Sequence, residues 1–218
     1  MNHRGELRGL YAITPETEDA ADGLARVRAA LSGGARIVQY RDKTGDAARR
    51  LTMALALRAA TRDHRALLIV NDSPLLALAA NADGVHLGDG DGDPAAARGA
   101  LGPGRILGIS CYGDFERARA AARAGADYVA FGAVFASPTK PRAARADLAL
   151  FRRCRDELGI PACAIGGITR DNARAVAAAG ADMLAVISDL FQAGDLAAVE
   201  TRARAFQALF EEHLHEQP

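Results

Sequence analysis

Short, largely apolar segments recur along the chain, separated by longer stretches with helical patterns. The segments do not alternate between apolar and polar residues, as strands do in a sheet with one solvent-exposed face. This absence of alternation is typical of strands buried on both faces. Eight segments predict strands, at about residues 9–13, 36–40, 67–70, 84–87, 106–110, 127–132, 161–165 and 182–187.

The intervals between these strands have the pattern of helices. Gly or Asn ends a helix in the left-handed conformation, and the chain then enters the next strand directly. Four junctions of this form lie at residues 32–35, 81–84, 124–127 and 179–182. Helices are predicted among others at about 47–61, 115–124, 172–179 and 196–214, with a polar tail at 211–218.

Strands that alternate with helices along the whole chain predict an α/β protein with a parallel sheet. Eight such units in 218 residues favour a (β/α)8 TIM barrel over an open doubly wound sheet. No interval resembles a linker, so we expect one domain over residues 1–218, with short polar N- and C-terminal extensions. No Gly-x-Gly-x-x-Gly follows the first strand, which disfavours a dinucleotide-binding fold.

Composition narrows the class of protein. The 27 Lys and Arg residues balance 27 Asp and Glu residues, which argues against broad binding of nucleic acid or membrane surfaces. Cys111, Cys154 and Cys163 lack metal-type spacing and predict reduced thiols, and Cys111 is more simply a small buried thiol than a reactive one. No apolar run approaches the ~20 residues that span a bilayer, and residues 1–6 lack a signal-peptide core. We therefore expect a cytoplasmic protein.

Polar residues follow the second and third strands, where a parallel barrel opens. Gln39, Arg41 and Lys43 alternate along the chain, so in an extended strand end they project to one side. A solvated salt bridge with the intervening Asp42 is the alternative role of the two cations, but three donors that converge at a barrel mouth favour ligand binding. Asn71 is followed by an aspartate, Asp72, that would also suit the cap of the next helix.

Residues 88–93 follow the fourth strand and supply three aspartates at alternating positions, Asp89, Asp91 and Asp93. A glycine-rich acidic turn explains them as well as a metal site does, and spacing does not choose among the three. His86, one step inside the strand, is better explained as a hydrogen-bonded core group than as a ligand. Cations together with separated aspartates are nevertheless what a magnesium pyrophosphate needs.

The later loops carry groups that suit a phosphate. Ser137, Thr139 and Lys140 combine two hydroxyls and an ammonium group between prolines. Gly166-Gly167 follows the seventh strand and Ile187-Ser188 ends the eighth, where barrels of this type usually bind phosphate. A simple tight turn is the alternative for the glycine pair, and Thr169 is expected only to cap the next helix.

Taken in order, these motifs resemble the thiamine-phosphate synthase family. The likeness runs from about Leu10 to Leu190, nearly the whole chain. The matching segments are Gln39-Tyr40-Arg41-Asp42-Lys43, Asn71-Asp72, Asp83-Gly84-Val85-His86-Leu87-Gly88, Thr139-Lys140, Ala164-Ile165-Gly166-Gly167-Ile168 and Ala181-Asp182 to Val186-Ile187-Ser188.

The resemblance implies a transferase of thiamine biosynthesis that condenses a hydroxymethylpyrimidine pyrophosphate with a thiazole phosphate. It implies that the pyrimidine pyrophosphate is held by Gln39, Arg41, Lys43, Asn71, Ser110 and Lys140, of which Arg41, Lys43 and Lys140 act in catalysis. It implies that the thiazole phosphate is held by Ser137, Thr139, Gly167, Ile187 and Ser188. It also implies a Mg²⁺ cofactor bound by Asp72 and Asp91, and it is this resemblance that selects Asp91 from the three aspartates.

Two positions depart from the family pattern, and they bear on the alternatives. Cys111-Tyr112 stands where the family commonly has Thr-His, and Ser137 stands in a loop that often has Pro-Thr. The related thiazole tautomerase commonly has a histidine after the strand-five serine and needs no magnesium pyrophosphate site. Another phosphosugar barrel enzyme would leave the 39–43 cluster unexplained. A barrel that binds a phosphorylated metabolite without turnover would not need both aspartates and all the cations.

Overall fold

The computed structural model describes residues 5–136 and 145–215. Within them, eight parallel strands pair in sequence order and close into a barrel. The strands are β1 (Gly9–Ile13), β2 (Ile37–Tyr40), β3 (Leu67–Asn71), β4 (Gly84–Leu87), β5 (Ile106–Tyr112), β6 (Tyr128–Phe131), β7 (Ala162–Ile165) and β8 (Met183–Val186). Each lies within two residues of a segment that the sequence predicts, and the (β/α)8 barrel is confirmed.

Helices follow the strands and surround the barrel. In the described residues they are α1 (Ala20–Ser32), α2 (Ala47–Asp63), α3 (Pro74–Ala79), α4 (Pro94–Leu101), α5 (Phe115–Arg123), α6 (Ala149–Leu158), α7 (Arg170–Ala178), α8 (Ser188–Phe191) and α9 (Leu196–His215). The last helix extends to His215, so the first part of the predicted polar tail is helical. Over the same residues, none of the helices combines the length and the apolar character that crossing a membrane requires.

The barrel closes through the pairing of the first and last strands, with Leu10 opposite Leu184 and Ala12 opposite Val186. Alternate residues of a strand then face opposite layers. In β1, Leu10 and Ala12 pack with the helices, whereas Tyr11 and Ile13 belong to a separate cluster inside the barrel. Both faces of the sheet are therefore buried, which explains the continuous apolar segments.

Three junctions between a helix and the next strand carry an aspartate with a structural task. Asp83, Asp127 and Asp182 each precede an even-numbered strand. Their carboxylates accept hydrogen bonds of 2.8 Å from the backbone N–H groups of Leu68, Leu107 and Ala162 on the preceding strand. Because these bonds join neighbouring strands at the amino end of the barrel, they help to set the stagger that barrel closure requires.

A glycine inside the barrel makes room for an aromatic ring. Gly108 lies opposite both His86 of β4 and Tyr128 of β6. A Cβ atom at this position would overlap the Tyr128 ring, including its hydroxyl. The Tyr128 side chain is fully buried, so it has no exposed space into which to retreat.

We expect Gly108→Ala to lower the free energy of unfolding by about 1–3 kcal/mol, the usual cost of overpacking a core. Gly99→Ala is the matched control, because nothing lies within 4 Å of a Cβ added at that exposed position of α4. The control is expected to be neutral or slightly stabilising, since alanine favours a helix over glycine. Urea unfolding of both variants measures the difference, and equal stability of Gly108→Ala and wild type would contradict the packing argument.

Candidate active site

The carboxyl ends of all eight strands meet at one mouth of the barrel, because the strands are parallel and the barrel is closed. Gln39, Asn71 and Ser110 lie in β2, β3 and β5, near this end of each strand. The loops that follow the strands bring further polar residues to the same mouth. These are Arg41 and Lys43 after β2, Asp72 after β3, Asp91 after β4, Gly167 after β7, and Ile187 and Ser188 after β8.

Asp72 and Asp91 form an acidic pair at the mouth. The Asp72 backbone N–H donates to the carbonyl oxygen of His86 at 2.9 Å, and the Gly88 N–H donates to Asp91 Oδ2 at 2.8 Å. Burial raises the pKa of Asp72, and a hydrogen bond to Asp91 and the charge of Asp91 raise it further. Lys43 opposes this shift, since its Nζ lies 3.5 Å from Asp72 Oδ2. Two carboxylates thus share one partly buried site with a single described cation close to Asp72.

The neighbouring polar residues have other tasks, which resolves the alternatives left open by the sequence. Ser73, not Asp72, caps α3 by accepting from the Leu76 N–H. Asp93 caps α4. Asp89 pairs with Arg117 at 3.1 Å. Of the three aspartates after β4, Asp91 is the one that interacts with Asp72.

Tyr112 anchors the loop that carries Asp91. Its hydroxyl accepts from the Asp89 backbone N–H at 3.1 Å, and the Arg117 guanidinium lies 5.2 Å from the centre of its ring. Sequence reasoning treated Cys111-Tyr112 only as a departure from the family pattern. The chain offered no local signal for this role, because Tyr112 and Asp89 lie on different strand ends.

The cations after β2 separate at the mouth. The strand ends at Tyr40, so the alternation that would place Gln39, Arg41 and Lys43 on one side does not continue. Arg41 pairs with Glu16 at 2.8 Å, in the loop after β1, and not with the adjacent Asp42 that the sequence suggests as its partner. Lys43 instead reaches Asp72.

A chain of hydrogen bonds crosses the barrel interior directly below the mouth. Gln39 Nε2 donates to the Tyr11 hydroxyl at 2.9 Å, and the Tyr11 and Tyr128 hydroxyls lie 2.8 Å apart. His86 then connects Tyr128 to Ser110, with Nδ1 2.9 Å from the Tyr128 hydroxyl and Nε2 2.9 Å from Ser110 Oγ. His86 is thus a hydrogen-bonded core group, as predicted. Tyr11 and Tyr128 were missed, because each looks like an ordinary apolar strand residue.

The glycine pair after β7 packs tightly against the chain after β6. Gly166 and Gly167 both have a left-handed backbone, with φ of 99° and 66°. A Cβ at Gly167 would lie 2.6 Å from the carbonyl oxygen of Ala136 and 2.8 Å from Phe135 Cβ. Any residue with a side chain would therefore be strained and crowded at position 167. Thr169 begins α7 as its N-cap, as predicted.

Three of the residues implied by the resemblance, Ser137, Thr139 and Lys140, lie outside the described residues. Among residues 5–136 and 145–210, no group of three or more His, Cys, Asp or Glu side chains is arranged to hold a metal ion. Two carboxylates fit Mg²⁺, which usually takes one or two from the protein and completes its shell with water and phosphate oxygens. Burial raises the pKa of Cys111 to about 12, which is consistent with an inert thiol.

The chain is similar over nearly its whole length to proteins of one known family. Residues 10–190 match the family model described as thiamine monophosphate synthase. The thiamine-phosphate synthase of Aromatoleum aromaticum is 57% identical over 205 residues, covering 94% of this chain and 97% of that protein. That of Thioalkalivibrio sulfidiphilus is 54% identical over 213 residues, covering 97% and 100%. The structure of thiamine phosphate pyrophosphorylase from Pyrococcus furiosus superposes with a TM-score of 0.84 at 37% identity, covering 98% of this chain and 100% of that one. The chain therefore belongs to the thiamine monophosphate synthase family.

Proposed function

We propose that this protein is a transferase that joins 4-amino-2-methyl-5-(diphosphooxymethyl)pyrimidine to 4-methyl-5-(2-phosphooxyethyl)thiazole, giving thiamine phosphate and pyrophosphate. The observation that carries the proposal is the acidic pair Asp72 and Asp91 beside Lys43, at the mouth of a barrel whose relatives have synthase names. A thiazole tautomerase would not need this pair, and the comparisons give that alternative no support.

The acidic pair is the site we assign to Mg²⁺. Burial and the neighbouring Asp91 raise the pKa of Asp72, and a divalent cation at this position would favour the ionised carboxylate. Asp72 and Asp91 would hold Mg²⁺, which would neutralise the charge that develops on the leaving group. The two aspartates would position the ion. Tyr112 anchors the loop after β4, which holds Asp91 in place.

The cations of the mouth stabilise the departing pyrophosphate. Lys43 lies beside Asp72 and is mostly exposed, so it is free to turn toward a phosphate oxygen. Arg41 has an exposed carboxylate partner in Glu16, which a pyrophosphate would replace. Lys140 of the family motif is proposed to complete this set.

The organic part of the first substrate is proposed to contact Gln39, Asn71 and Ser110. These side chains lie on three strands whose carboxyl ends surround the same opening. Ser110 is only partly buried, whereas Gln39 is almost fully buried. The ring is proposed to direct its methylene carbon toward the acidic pair. His86 connects the two regions, since its Nε2 lies 2.9 Å from Ser110 Oγ and its carbonyl oxygen accepts from the Asp72 backbone N–H.

The second phosphate is assigned to the loops after β7 and β8. Gly167 presents backbone without a side chain, and Ser188 is the first residue of α8, after Ile187. Backbone N–H groups and hydroxyls of this kind are common ligands of phosphate. Ser137 and Thr139 are proposed to contribute the remaining hydroxyls.

The reaction that follows is a substitution at the pyrimidine methylene carbon. The bond between this carbon and the pyrophosphate oxygen breaks, and its electron pair leaves with pyrophosphate. The ring amino group shares the positive charge of the carbon, and the thiazole nitrogen then supplies the electron pair of the new bond. No proton moves to a protein base, so positioning and charge stabilisation carry the rate.

We propose that one domain over residues 1–218 carries this activity. It is proposed to bind two small phosphorylated substrates and neither nucleic acid nor a membrane. The balanced formal charge of the chain supports this assignment. We place the reaction in the cytoplasm, where the substrates of biosynthetic enzymes are made and used.

The direct test is product formation. Purified protein with both substrates and Mg²⁺ is expected to release thiamine phosphate and pyrophosphate in equal amounts, and EDTA is expected to abolish both. Chromatography of thiamine phosphate with an enzymatic pyrophosphate assay measures the ratio. Absence of both products from folded protein would contradict the proposed reaction.

Asp72→Asn tests the acidic pair. Asn is the suitable replacement because Asp72 has a φ of 64°, a left-handed conformation that Asn tolerates and that would strain Ala. We expect kcat to fall by about 100-fold or more, because one carboxylate ligand and its charge are lost. Binding of the thiazole phosphate, followed by calorimetry, is expected to be unchanged.

Asp89→Asn is the matched control, since Asp89 lies in the loop after β4 but pairs with Arg117 at the surface. It is expected to retain kcat within about threefold, as surface ion pairs contribute little. If both variants lost activity equally, or if Asp72→Asn lost thiazole phosphate binding as well, Asp72 would have a structural role instead.

A further inference from the structure

We propose that the buried chain from Gln39 to Ser110 has a single hydrogen-bond direction, which makes Gln39 Oε1 an acceptor and the Ser110 hydroxyl a donor toward the substrate ring. Tyr11, Tyr128 and His86 are then positioning residues that select an aminopyrimidine over an oxopyrimidine. This inference rests on the proposed function for the identity of the ring, but not for the direction of the chain.

The direction begins at Gln39. Its Nε2 atom belongs to an amide NH₂ group, which donates and does not accept. The Tyr11 hydroxyl oxygen, 2.9 Å away, therefore accepts. A tyrosine hydroxyl has one hydrogen, and the Tyr128 hydroxyl at 2.8 Å is the other partner that the described residues offer to Tyr11. Tyr11 thus donates to Tyr128.

The direction continues through His86. Because the Tyr128 oxygen accepts from Tyr11, its own hydrogen goes to His86 Nδ1 at 2.9 Å. Nδ1 must then be unprotonated, and in a neutral imidazole the other nitrogen carries the hydrogen. Nε2–H donates to Ser110 Oγ at 2.9 Å. The Ser110 oxygen is satisfied by this bond, and its own hydrogen is available for a ligand.

Burial couples the hydrogen bonds of the chain to one another. Tyr11 and Tyr128 are 1% and 0% exposed, and His86 is 8% exposed, so each hydroxyl and nitrogen depends on its neighbour in the chain. Reversal would require both tyrosine hydroxyls to rotate, the imidazole tautomer to change and the Gln39 amide to turn over together.

Packing fixes the atoms that the chain joins. The Tyr11 and Tyr128 rings meet edge to face, with centroids 6.0 Å apart. The His86 ring stacks on Tyr128 with centroids 5.6 Å apart. Gly108 leaves the space into which Tyr128 fits. The two hydroxyls are therefore held by the core of the barrel and not by the loops.

An acceptor at Gln39 and a donor at Ser110 are expected to suit one kind of ring. A 4-aminopyrimidine offers an amino donor next to a ring nitrogen that accepts, which suits an acceptor at Gln39 and a donor at Ser110. A 4-oxopyrimidine offers a carbonyl acceptor next to a ring N–H donor, which is the reverse pattern. The wrong ring would face two unpaired or opposed polar groups in a buried site, a strong basis for rejection.

The first test needs neither substrate nor activity. The full-length protein is labelled with ¹⁵N-histidine, and the His86 signals are identified by their loss in His86→Asn. Long-range ¹H–¹⁵N spectra at pH 7 are expected to give the neutral Nε2–H tautomer for His86. In Tyr128→Phe, the Nδ1 resonance is expected to shift because its hydrogen-bond donor is gone. The Nδ1–H tautomer or an imidazolium in wild type would overturn the inference.

The second test measures selectivity. Calorimetry in Mg²⁺ compares the 4-amino pyrimidine pyrophosphate with its 4-oxo analogue, so that the pyrophosphate contribution cancels in the ratio of dissociation constants. Wild type is expected to prefer the amino compound by at least about 100-fold. Tyr128→Phe is expected to reduce the preference to about tenfold or less, since the direction of the chain is no longer imposed.

Tyr40→Phe is the matched control for that variant. Tyr40 is also a buried strand residue, but its hydroxyl donates to Asp42 and takes no part in the chain. It is expected to keep the wild-type preference. If Tyr128→Phe weakened both ligands equally and kept the preference, its role would be structural and the inference would fail.

The outcomes separate the inference from the proposed function. A wild-type protein that makes thiamine phosphate but carries the Nδ1–H tautomer overturns the chain direction alone. A protein that carries the Nε2–H tautomer but binds neither pyrimidine pyrophosphate overturns the assigned ligand, and with it the proposed function.

Discussion

The pairing of β1 with β8 is the constraint on which the rest of this structure depends. It turns a row of parallel strands into a closed barrel, in which Leu10 lies opposite Leu184 and no strand edge remains. Closure brings residues that are more than a hundred positions apart in sequence to one mouth. The acidic pair, the cations and the glycine pair occupy one region for this reason, and not because of any local attraction between them.

The interior of this barrel combines packing with polar chemistry. Ile37, Ile106 and Met183, the first residues of their strands, belong to the apolar cluster inside the barrel, whereas Gln39, His86 and two tyrosines form a polar layer beneath the mouth. Such groups are costly to bury unless each finds a partner, and here the partners are one another. The layer therefore joins the rigid core to the surface where substrate is proposed to bind. A change in its packing is expected to move His86 and so the hydrogen bond that His86 makes with Ser110.

The sequence was informative where a residue's role is local. Continuous apolar segments located all eight strands to within two residues, because burial on both faces leaves a direct mark on composition. Thr169 was assigned correctly as a cap, because capping depends on its immediate neighbours. The chain offers the adjacent Asp42 as a local alternative partner for Arg41, whereas Arg41 pairs with Glu16 of another loop, since an ion pair follows proximity in space. Tyr112 and the two buried tyrosines were missed for the same reason.

By itself, then, the sequence determined the barrel, the order of its strands and the polar residues at each strand end. Its motifs also carried the family likeness that selected Asp91. Only the tertiary structure decided which of these residues meet, that Asp72 is free of a capping role, and that Tyr11 connects to Ser110 through Tyr128 and His86. The physical reason is that periodicity and turn chemistry act over a few residues, whereas hydrogen bonds across a barrel depend on closure, stagger and the space left by a glycine.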